Sequence, residues 1–454
     1  RCYVEHIRPM RNYKNYKGLV LLIPLALGMT VAQAAQSTTD KSTFAEAAKY
    51  TVKLKARTRY PFYDDEIGSL RGAGFLVDKE RGWVVTNAHV TTRNPDSIQV
   101  AFKDQDYADG QLVYVDRFLD VGIVAIPTSS IPKKTPVSRL NCTEMPPIGT
   151  PVAAFGHPFS LSFSGTRGIV SGSQNKWGRM WIQTDAPINS GNSGGPLIDF
   201  LTGHVIGINT AGFSKKKSEG IGFAIPSAQV CRIIELLKQG IDPSPPIIPV
   251  EFSPDPERTE GLNVVHIYRQ HTVRWPLERG DRVIAFIADE NVQLENLADL
   301  IDTLRGLKGY ARLLIQRNGQ EIKVAVNLRT VPNPLDRRGV AVSGLVIAPW
   351  PLRDDELTNP KQRMIVHAIE NASIGDLAGL SYFDYLVSVD GKQIDDVHKL
   401  CRHFKALEDS SKSTRIIVRQ RKTQYRSRTT LKIFEFRPEE VKLVGYKIGS
   451  NNCH

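Results

Sequence analysis

The residue best suited to chemistry is Ser193, in the run Asn189-Ser190-Gly191-Asn192-Ser193-Gly194-Gly195-Pro196-Leu197. Glycines on both sides let the backbone crowd the serine and turn amides toward a developing oxyanion. A serine hydroxyl is a weak nucleophile until an imidazole takes its proton. The imidazole in turn needs a carboxylate to fix its tautomer and stabilise the imidazolium. Both partners lie upstream. His89 follows the apolar run Trp83-Val84-Val85-Thr86-Asn87-Ala88, and Asp120 directly precedes another, Val121-Gly122-Ile123-Val124-Ala125-Ile126. This set points to acyl transfer through an acyl-Ser193, with Gly191, Asn192 and Ser193 as the candidate oxyanion hole. The rival carboxylates Asp104, Asp106, Asp109 and Asp116 stand in polar, loop-like surroundings, and Asp185 reads as structural.

Elements that could position these residues follow from the pattern around them. From about Thr51 to Ile225, short β-branched runs alternate with glycine and proline (Ala73 to Val77, Trp83 to Thr86, Pro151 to Phe155, His204 to Ile208). That rhythm predicts a two-barrel, all-β domain. Pro226-Ser227-Ala228 then opens an amphipathic helix from Gln229 to Lys238, with Val230, Ile233, Ile234 and Leu237 on its apolar face and Gly240 closing it. The run from Asp242 to Pro249 is proline-rich, stiff and extended, and reads as a linker. The chain order His, Asp, Ser is that of the double-barrel serine proteases rather than of the α/β-hydrolases.

With that order, the motifs Gln183-Thr184-Asp185-Ala186, Ile206-Gly207-Ile208-Asn209-Thr210 and Gly220-Ile221-Gly222-Phe223-Ala224-Ile225-Pro226 make the chain resemble the HtrA/DegP-type proteases, a chymotrypsin-like domain followed by PDZ domains. The resemblance is specific over roughly residues 70 to 240 and moderate over 250 to 436. It implies the triad His89, Asp120 and Ser193, and active-site loops that order when a peptide or a neighbouring subunit is engaged. Asn192 stands where proteases activated by a new N-terminal amine carry an acid, which argues against activation of that kind. Pro187, six residues before the serine, is not acidic, so the specificity pocket is expected to take small aliphatic side chains, with Ile188, Asn209, Thr210 and Ala211 among its walls. His157 departs from the asparagine commoner in the family and reads as a turn residue. Tyr60, Phe62 and Tyr63 occupy the region through which family members form trimers.

Beyond the linker a faint repeat of roughly a hundred residues appears. Pro276 to Phe286 precedes a predicted helix from Asn296 to Leu304, and Ala378 to Gly391 precedes another from Val397 to Phe404, each copy ending in a strand pair. Both copies resemble PDZ domains, which add an extended peptide to a sheet edge while backbone amides hold its carboxylate. By position the carboxylate loops are Thr259-Glu260-Gly261-Leu262, where Glu260 would repel a carboxylate, and Val342-Ser343-Gly344-Leu345, of which Ser343, Gly344 and Leu345 are the candidate peptide-binding residues. A free, apolar peptide C-terminus bound there is expected to favour the ordered active site. The partition is a signal segment 1–34, an N-terminal segment 35–50, a protease domain 51–240, a linker 241–250, PDZ-like domains 251–331 and 338–436, and an uninformative tail 437–454. The fold class is mainly β, a double β-barrel followed by two α+β domains.

Composition sets the outer bounds. A chain of 454 residues with 41% hydrophobic and 23% charged residues is an ordinary globular protein of about three domains, with no disordered class indicated. Gly18 to Met29 is apolar but short for a membrane span, follows Arg11, Lys14 and Lys17, and precedes Ala32-Gln33-Ala34, so it reads as a cleavable export signal with Met10 as candidate initiator. Its removal takes away five basic residues (Arg1, Arg8, Arg11, Lys14, Lys17) and one acid (Glu5), a net change of four that lowers the formal charge from +12 to +8. The basic clusters Lys215 to Lys217 and Arg415 to Arg428 lack aromatic interleaving and read as solvated faces, so no nucleic-acid partner is expected. Cys142, Cys231, Cys401 and Cys453 survive processing with no zinc spacing and no assignable pairing. No cofactor or metal is called for. The expectation is a periplasmic endopeptidase acting on unfolded protein substrates, a homotrimer or larger homo-oligomer, touching membrane only if the signal is uncleaved; the alternative is a peptide-sensing scaffold or holding chaperone with little turnover.

Overall fold

A computed structural model describes residues 42–143, 145–157, 163–176, 179–210, 220–253, 262–268, 273–349, 364–421, 429–446 and 453. The signal segment 1–34 lies outside the described residues. Among the described residues no helix is long and apolar enough to cross a membrane.

The first six strands are β1 (Thr51–Thr58), β2 (Gly68–Asp78), β3 (Trp83–Thr86), β4 (Ser97–Phe102), β5 (Ala108–Asp116) and β6 (Val121–Ala125). They close into a barrel in the order β1-β2-β3-β6-β5-β4. Alternation drives the closure: Val52, Leu54 and Ala56 of β1 point inward and are buried, while the residues between them lie at least partly outside. One turn of helix, α1 (Ala88–Thr91), follows β3. The next six strands are β7 (Pro151–Gly156), β8 (Ser164–Lys176), β9 (Arg179–Thr184), β10 (Pro196–Asp199), β11 (Val205–Thr210) and β12 (Gly222–Pro226), and they close a second barrel in the order β10-β11-β12-β9-β8-β7. Helix α2 (Ser227–Lys238) starts two residues earlier than its apolar pattern indicated, with Pro226 at its N-cap position. Cys142, in the connection between the barrels, is bonded to Cys231 of α2.

The first PDZ-like domain contains β13 (Val250–Phe252), β14 (Leu262–Ile267), β15 (Arg282–Phe286), β16 (Val292–Gln293), α3 (Leu297–Leu304), β17 (Gly309–Arg317) and β18 (Gln320–Leu328). Asn296, expected inside the helix, is its cap: its side chain accepts from the Ala298 and Asp299 amides while Asp299 reaches back, a capping box. The linker is not a free spacer. Ile247 donates its amide to Arg329 O at 2.7 Å, and Ile247 and Val250 are buried in this domain's core with Trp275 and Leu313. Hydrophobic side chains at the end of the proline run therefore join the domain that follows.

The second PDZ-like domain has β19 (Gly339–Val342), β20 (Leu345–Pro349), β21 (Met364–Ile369), α4 (Ile374–Leu377), β22 (Tyr385–Val389), α5 (Val397–Asp409), β23 (Thr414–Arg421), β24 (Thr429–Phe436) and β25 (Lys442–Val444), in the sheet order β24-β23-β22-β21-β20-β19-β25. Helix α5 runs five residues beyond its predicted end, with Lys405 paired to Glu408 and Asp409 along the added turn. The tail that carried no signal in sequence is structural. Its strand β25 pairs antiparallel with β19, Val441 and Leu443 are buried against Leu400 and Phe404, and Cys453 is bonded to Cys401 of α5.

Both PDZ-like domains contact the protease domain through buried charge and aromatic rings. Asp64, between β1 and β2, pairs with Arg117 at 2.7 Å, with Arg337 at 2.6 Å and with Arg93 at 3.7 Å. Burial pushes its carboxyl up, but the three guanidiniums outweigh that and hold it below the usual range. Phe62 and Tyr63 pack on His367 of β21, with centroids 5.4 and 5.7 Å away, and Tyr63 also meets Phe383. Phe62 and Tyr63, in the region expected to take part in trimer assembly, thus also contact this chain's own second PDZ-like domain.

His367 makes this contact acid-sensitive. Its Nε2 donates to Pro349 O at 3.1 Å and its Nδ1 accepts the Tyr63 amide at 3.3 Å, so the neutral ring is satisfied on both sides. Burial lowers its pKa from 6.5 to about 4. The unfolded chain then binds the proton more readily, so stability is complete above pH 6.5 and falls as pH drops from 6.5 toward 4. The loss is on the order of 3 kcal/mol. Urea unfolding across this window should show it, and His367→Gln, which keeps a neutral polar side chain, should remove most of it.

Candidate active site

The imidazole and its carboxylate come from adjacent parts of the first barrel. Thr86 and Asn87 end β3 in extended backbone and α1 begins at once, pointing its first amides at the turn before β6. Asp120 fills that space in the left-handed conformation, φ 59°. Its carbonyl accepts from the Ala88 amide at 3.1 Å and from Asn87 Nδ2 at 3.0 Å. Its Oδ1 accepts the His89 amide at 2.9 Å, and its Oδ2 accepts His89 Nδ1–H at 2.8 Å. Thr210 Oγ1 lies 3.5 Å from the same Oδ2. The imidazole is held by its Nδ1 edge, with the other nitrogen left for substrate chemistry. Burial alone would lower the ring's pKa, but the hydrogen bond and charge of Asp120 outweigh it and the pKa moves up.

The serine comes from the second barrel. Residues 190–194 form a tight turn in which Asn192 N donates to Asn189 O at 2.9 Å and Gly195 N to Asn192 O at 3.0 Å. Gly191 and Gly194 take φ 101° and 85°, backbone that a side chain would strain. The turn is locked to β11 by a reciprocal pair, Gly194 N to Asn209 O and Asn209 N to Gly195 O, both 2.8 Å. Across the barrel interface Ala73 N of β2 donates to Ser193 O at 2.8 Å, and a Cβ on Gly72 would come within 2.9 Å of that oxygen. Ser193 is buried at the seam where the two barrels meet.

The remaining sequence candidates fall into place around this core. Asn192's amide is committed to Asn189 O, so it cannot also meet an oxyanion, which narrows the expected trio to the amides of Gly191 and Ser193. Asn209 is fully buried with its amide nitrogen on Phe155 O and Pro196 O, both at 3.1 Å, so its side chain braces the turn from beneath. Ile188 packs on the second barrel's core, and Gly222 leaves it room, since a Cβ there would sit 2.9 Å from Ile188 Cδ1. Thr210 is buried beside Asp120, while Ala211 lies outside the described residues. His157 donates its amide to Gly191 O at 3.0 Å, and Asp185 Oδ1 accepts the Ile169 amide at 2.6 Å, so both are turn and strand supports.

Two expectations are corrected. Asp116, read as standing in polar, loop-like surroundings, ends β5 buried, with Oδ2 2.7 Å from Arg305 Nη1 of the first PDZ-like domain. No local pattern marks it, since its partner lies far along the chain. Ser343 and Gly344 are not an open carboxylate loop but the two-residue turn of the β19–β20 hairpin, φ 48° and 77°. The Ser343 amide is spent on Glu439 O at 2.8 Å, and Leu345 is buried. Strand β20 is paired on both sides, by β19 and β21, and the outer edge of β19 carries β25. Residues 259–261 of the other loop lie outside the described residues.

Comparison with known proteins follows the same lines. Residues 72–208 match the family model for a trypsin-like peptidase domain. Serine protease HTRA1 of Xenopus tropicalis is 30% identical over 313 residues, covering 63% of this chain and 65% of that protein. A probable periplasmic serine endoprotease DegP-like protein of Chlamydia trachomatis is 28% identical over 355 residues (73% and 69%), and the serine endoprotease DegS of Escherichia coli is 38% identical over 175 residues (37% and 48%). The solved HtrA-type protease AlgW with a tripeptide superposes with a TM-score of 0.51 at 28% identity, covering 64% of this chain and 98% of that one. Over these segments the chain is similar to the HtrA-type serine proteases, and it shares the trypsin-like peptidase domain over residues 72–208. It spans 65% of the Xenopus tropicalis protein's length and less of several other relatives.

For this HtrA-like chain, Gly344→Glu is expected to act on folding. It places a side chain in left-handed backbone, where a Cβ already meets Ser373 Cβ at 2.5 Å, and should cost at least about 1–2 kcal/mol. A lowered melting temperature checks this. A peptide with a free apolar C-terminus and its amidated form should affect cleavage by the intact chain equally, read as steady-state rates.

Proposed function

We propose that this chain is an exported, ATP-independent serine endopeptidase of the HtrA/DegP type that hydrolyses peptide bonds of unfolded or damaged proteins in the bacterial envelope. The observation that carries the reading is the 2.8 Å contact of His89 Nδ1–H with a carboxylate that also receives the His89 amide. That geometry fixes one tautomer, with Nε2 unprotonated and able to take the Ser193 hydroxyl proton. Ser193 attacks the scissile carbonyl, the amides of Gly191 and Ser193 receive the oxyanion, and His89 returns the proton to the leaving amine. Water then releases the acyl group by the same route. Preorganised donors of this type are worth about 3 kcal/mol each. Ile188 and Thr210 would border a pocket for small aliphatic side chains.

Two disulfides, Cys142–Cys231 and Cys401–Cys453, support an oxidising compartment. So does the printed description of the Chlamydia trachomatis relative as periplasmic.

Ser193→Ala should abolish cleavage of unfolded casein with folding intact, a loss approaching roughly a millionfold if the triad acts as a unit. Near-normal activity would refute the assignment, and failure of wild type to react with a fluorophosphonate would indicate an incompetent oxyanion site. The mature protein should begin near Ala35 after export. N-terminal sequencing that finds Arg11 to Ala34 retained would replace export by anchoring.

A further inference from the structure

The turn that carries Asp120 is clamped from outside its own barrel. Residues 117–120 connect β5 to β6, and Arg117, Phe118 and Asp120 each meet a side chain from elsewhere in the chain. Arg117 pairs with Asp64, Phe118 lies under the Arg179 guanidinium, and the Leu119 amide donates to Asp116 Oδ1 at 2.8 Å. Asp120 then reaches His89. Asp116 is the root of this turn and is buried. Its other oxygen lies 2.7 Å from Arg305 Nη1, at the C-terminal end of α3 in the first PDZ-like domain, and accepts the Tyr114 hydroxyl at 3.3 Å. Both side chains of the ion pair have no solvent exposure. Arg305 also holds Asp302 at 3.1 Å and donates to Pro243 O in the linker.

We propose that Arg305 of the first PDZ-like domain is a positioning residue for the catalytic aspartate, acting through the buried Asp116 carboxylate and the Leu119 amide. The physical argument rests on the cost of an uncompensated buried charge. With the guanidinium in place, the buried Asp116 carboxylate is paired and its second oxygen is held against Leu119 N. Without it, the carboxylate has no buried partner for its charge and turns toward water, which weakens the acceptor that defines the turn. Asp120 is the next residue, already in left-handed backbone, so its carboxylate loses aim at His89. The first PDZ-like domain is on this reading a fixed support of the catalytic machinery and not a tethered peptide reader.

The inference rests on the triad reading above, and its test includes a measurement that needs no catalysis. Arg305→Met is expected to lower kcat about ten- to a hundredfold with KM within about threefold of wild type, since misplacing a reacting group by an ångström costs on that scale. The charged groups around the His89 ring are Asp120, Arg93 beyond the end of α1, and Glu66 before β2. Only Asp120 is addressed by this change, so the His89 titration should move to lower pH. It can be followed by NMR on histidine-labelled protein in the Ser193→Ala background, with His89→Gln identifying the resonance. Gln229→Ala, which breaks the neighbouring interdomain bond from Gln229 to Asp302 at 3.0 Å, should leave both readouts unchanged.

A folded Arg305→Met protein with wild-type kcat and His89 titration overturns the proposal, and so does an equal loss in Gln229→Ala. If Arg305→Met does not fold, Arg305→Lys keeps a charge but cannot span Asp116 and Asp302 with one planar fork, and should lower kcat several-fold. Wild-type kcat and titration in the lysine variant would overturn the proposal equally. Absence of cleavage in wild type, with the His89 shift present, would instead count against the endopeptidase reading alone.

Discussion

The groups proposed to carry the catalysis are divided between two barrels, and that division is the constraint on which the rest of the structure depends. His89 and Asp120 belong to the first barrel and Ser193 to the second, so neither barrel alone holds the chemistry. The barrels are registered at one backbone contact, Ala73 N to Ser193 O, and glycines at 72 and 194 allow the approach. A Cβ at Gly194 would come within 2.2 Å of Ala73 O, closer than any packed atom tolerates. Small residues at this seam thus serve the distance between nucleophile and base, a quantity on which the reaction rate depends steeply.

Buried charge does a second kind of work. Asp64 and Asp116 each sit near a β-barrel end and each accepts guanidinium groups from remote segments. Pairs of this sort add little net stability, because desolvation offsets most of the attraction, but breaking one leaves a charge with no compensation. They act as geometric locks. Asp64 joins Arg93 beyond α1, Arg117 of the catalytic turn and Arg337 at the start of the second PDZ-like domain, so three regions share one carboxylate. Its neighbour Asp65, buried and beside that charge, is pushed up to about 6. The protease domain and both PDZ-like domains are therefore joined at the base of the active site, not by the linker alone.

The second PDZ-like domain extends its sheet with a strand from the chain's own tail. A module that adds a peptide strand needs an open edge beside a helix, and here β25 lies on β19 with Leu443 packed among Leu400 and Phe404 of α5. The Cys401–Cys453 bond ties the end of the chain to the same helix.

The two barrels, and where His89, Asp120 and Ser193 emerge from them, were legible in residue order and local pattern. Alternating β-branched runs broken by glycine specify barrel strands, and an apolar strand ending in Thr-Asn-Ala-His or beginning after an aspartate specifies where those two side chains emerge. Glycines around Ser193 specify a turn that few other residues could adopt. These are short-range properties, so the sequence alone determined them. What it left undetermined depends on contacts between residues far apart in the chain. Asp116 looks like its exposed neighbours until Arg305 arrives from another domain, the tail looks featureless until it meets β19, and Tyr63 looks like a surface aromatic until His367 and Phe383 cover it. Desolvation and edge pairing decide the roles of these residues, and both exist only once the tertiary structure has brought the partners together.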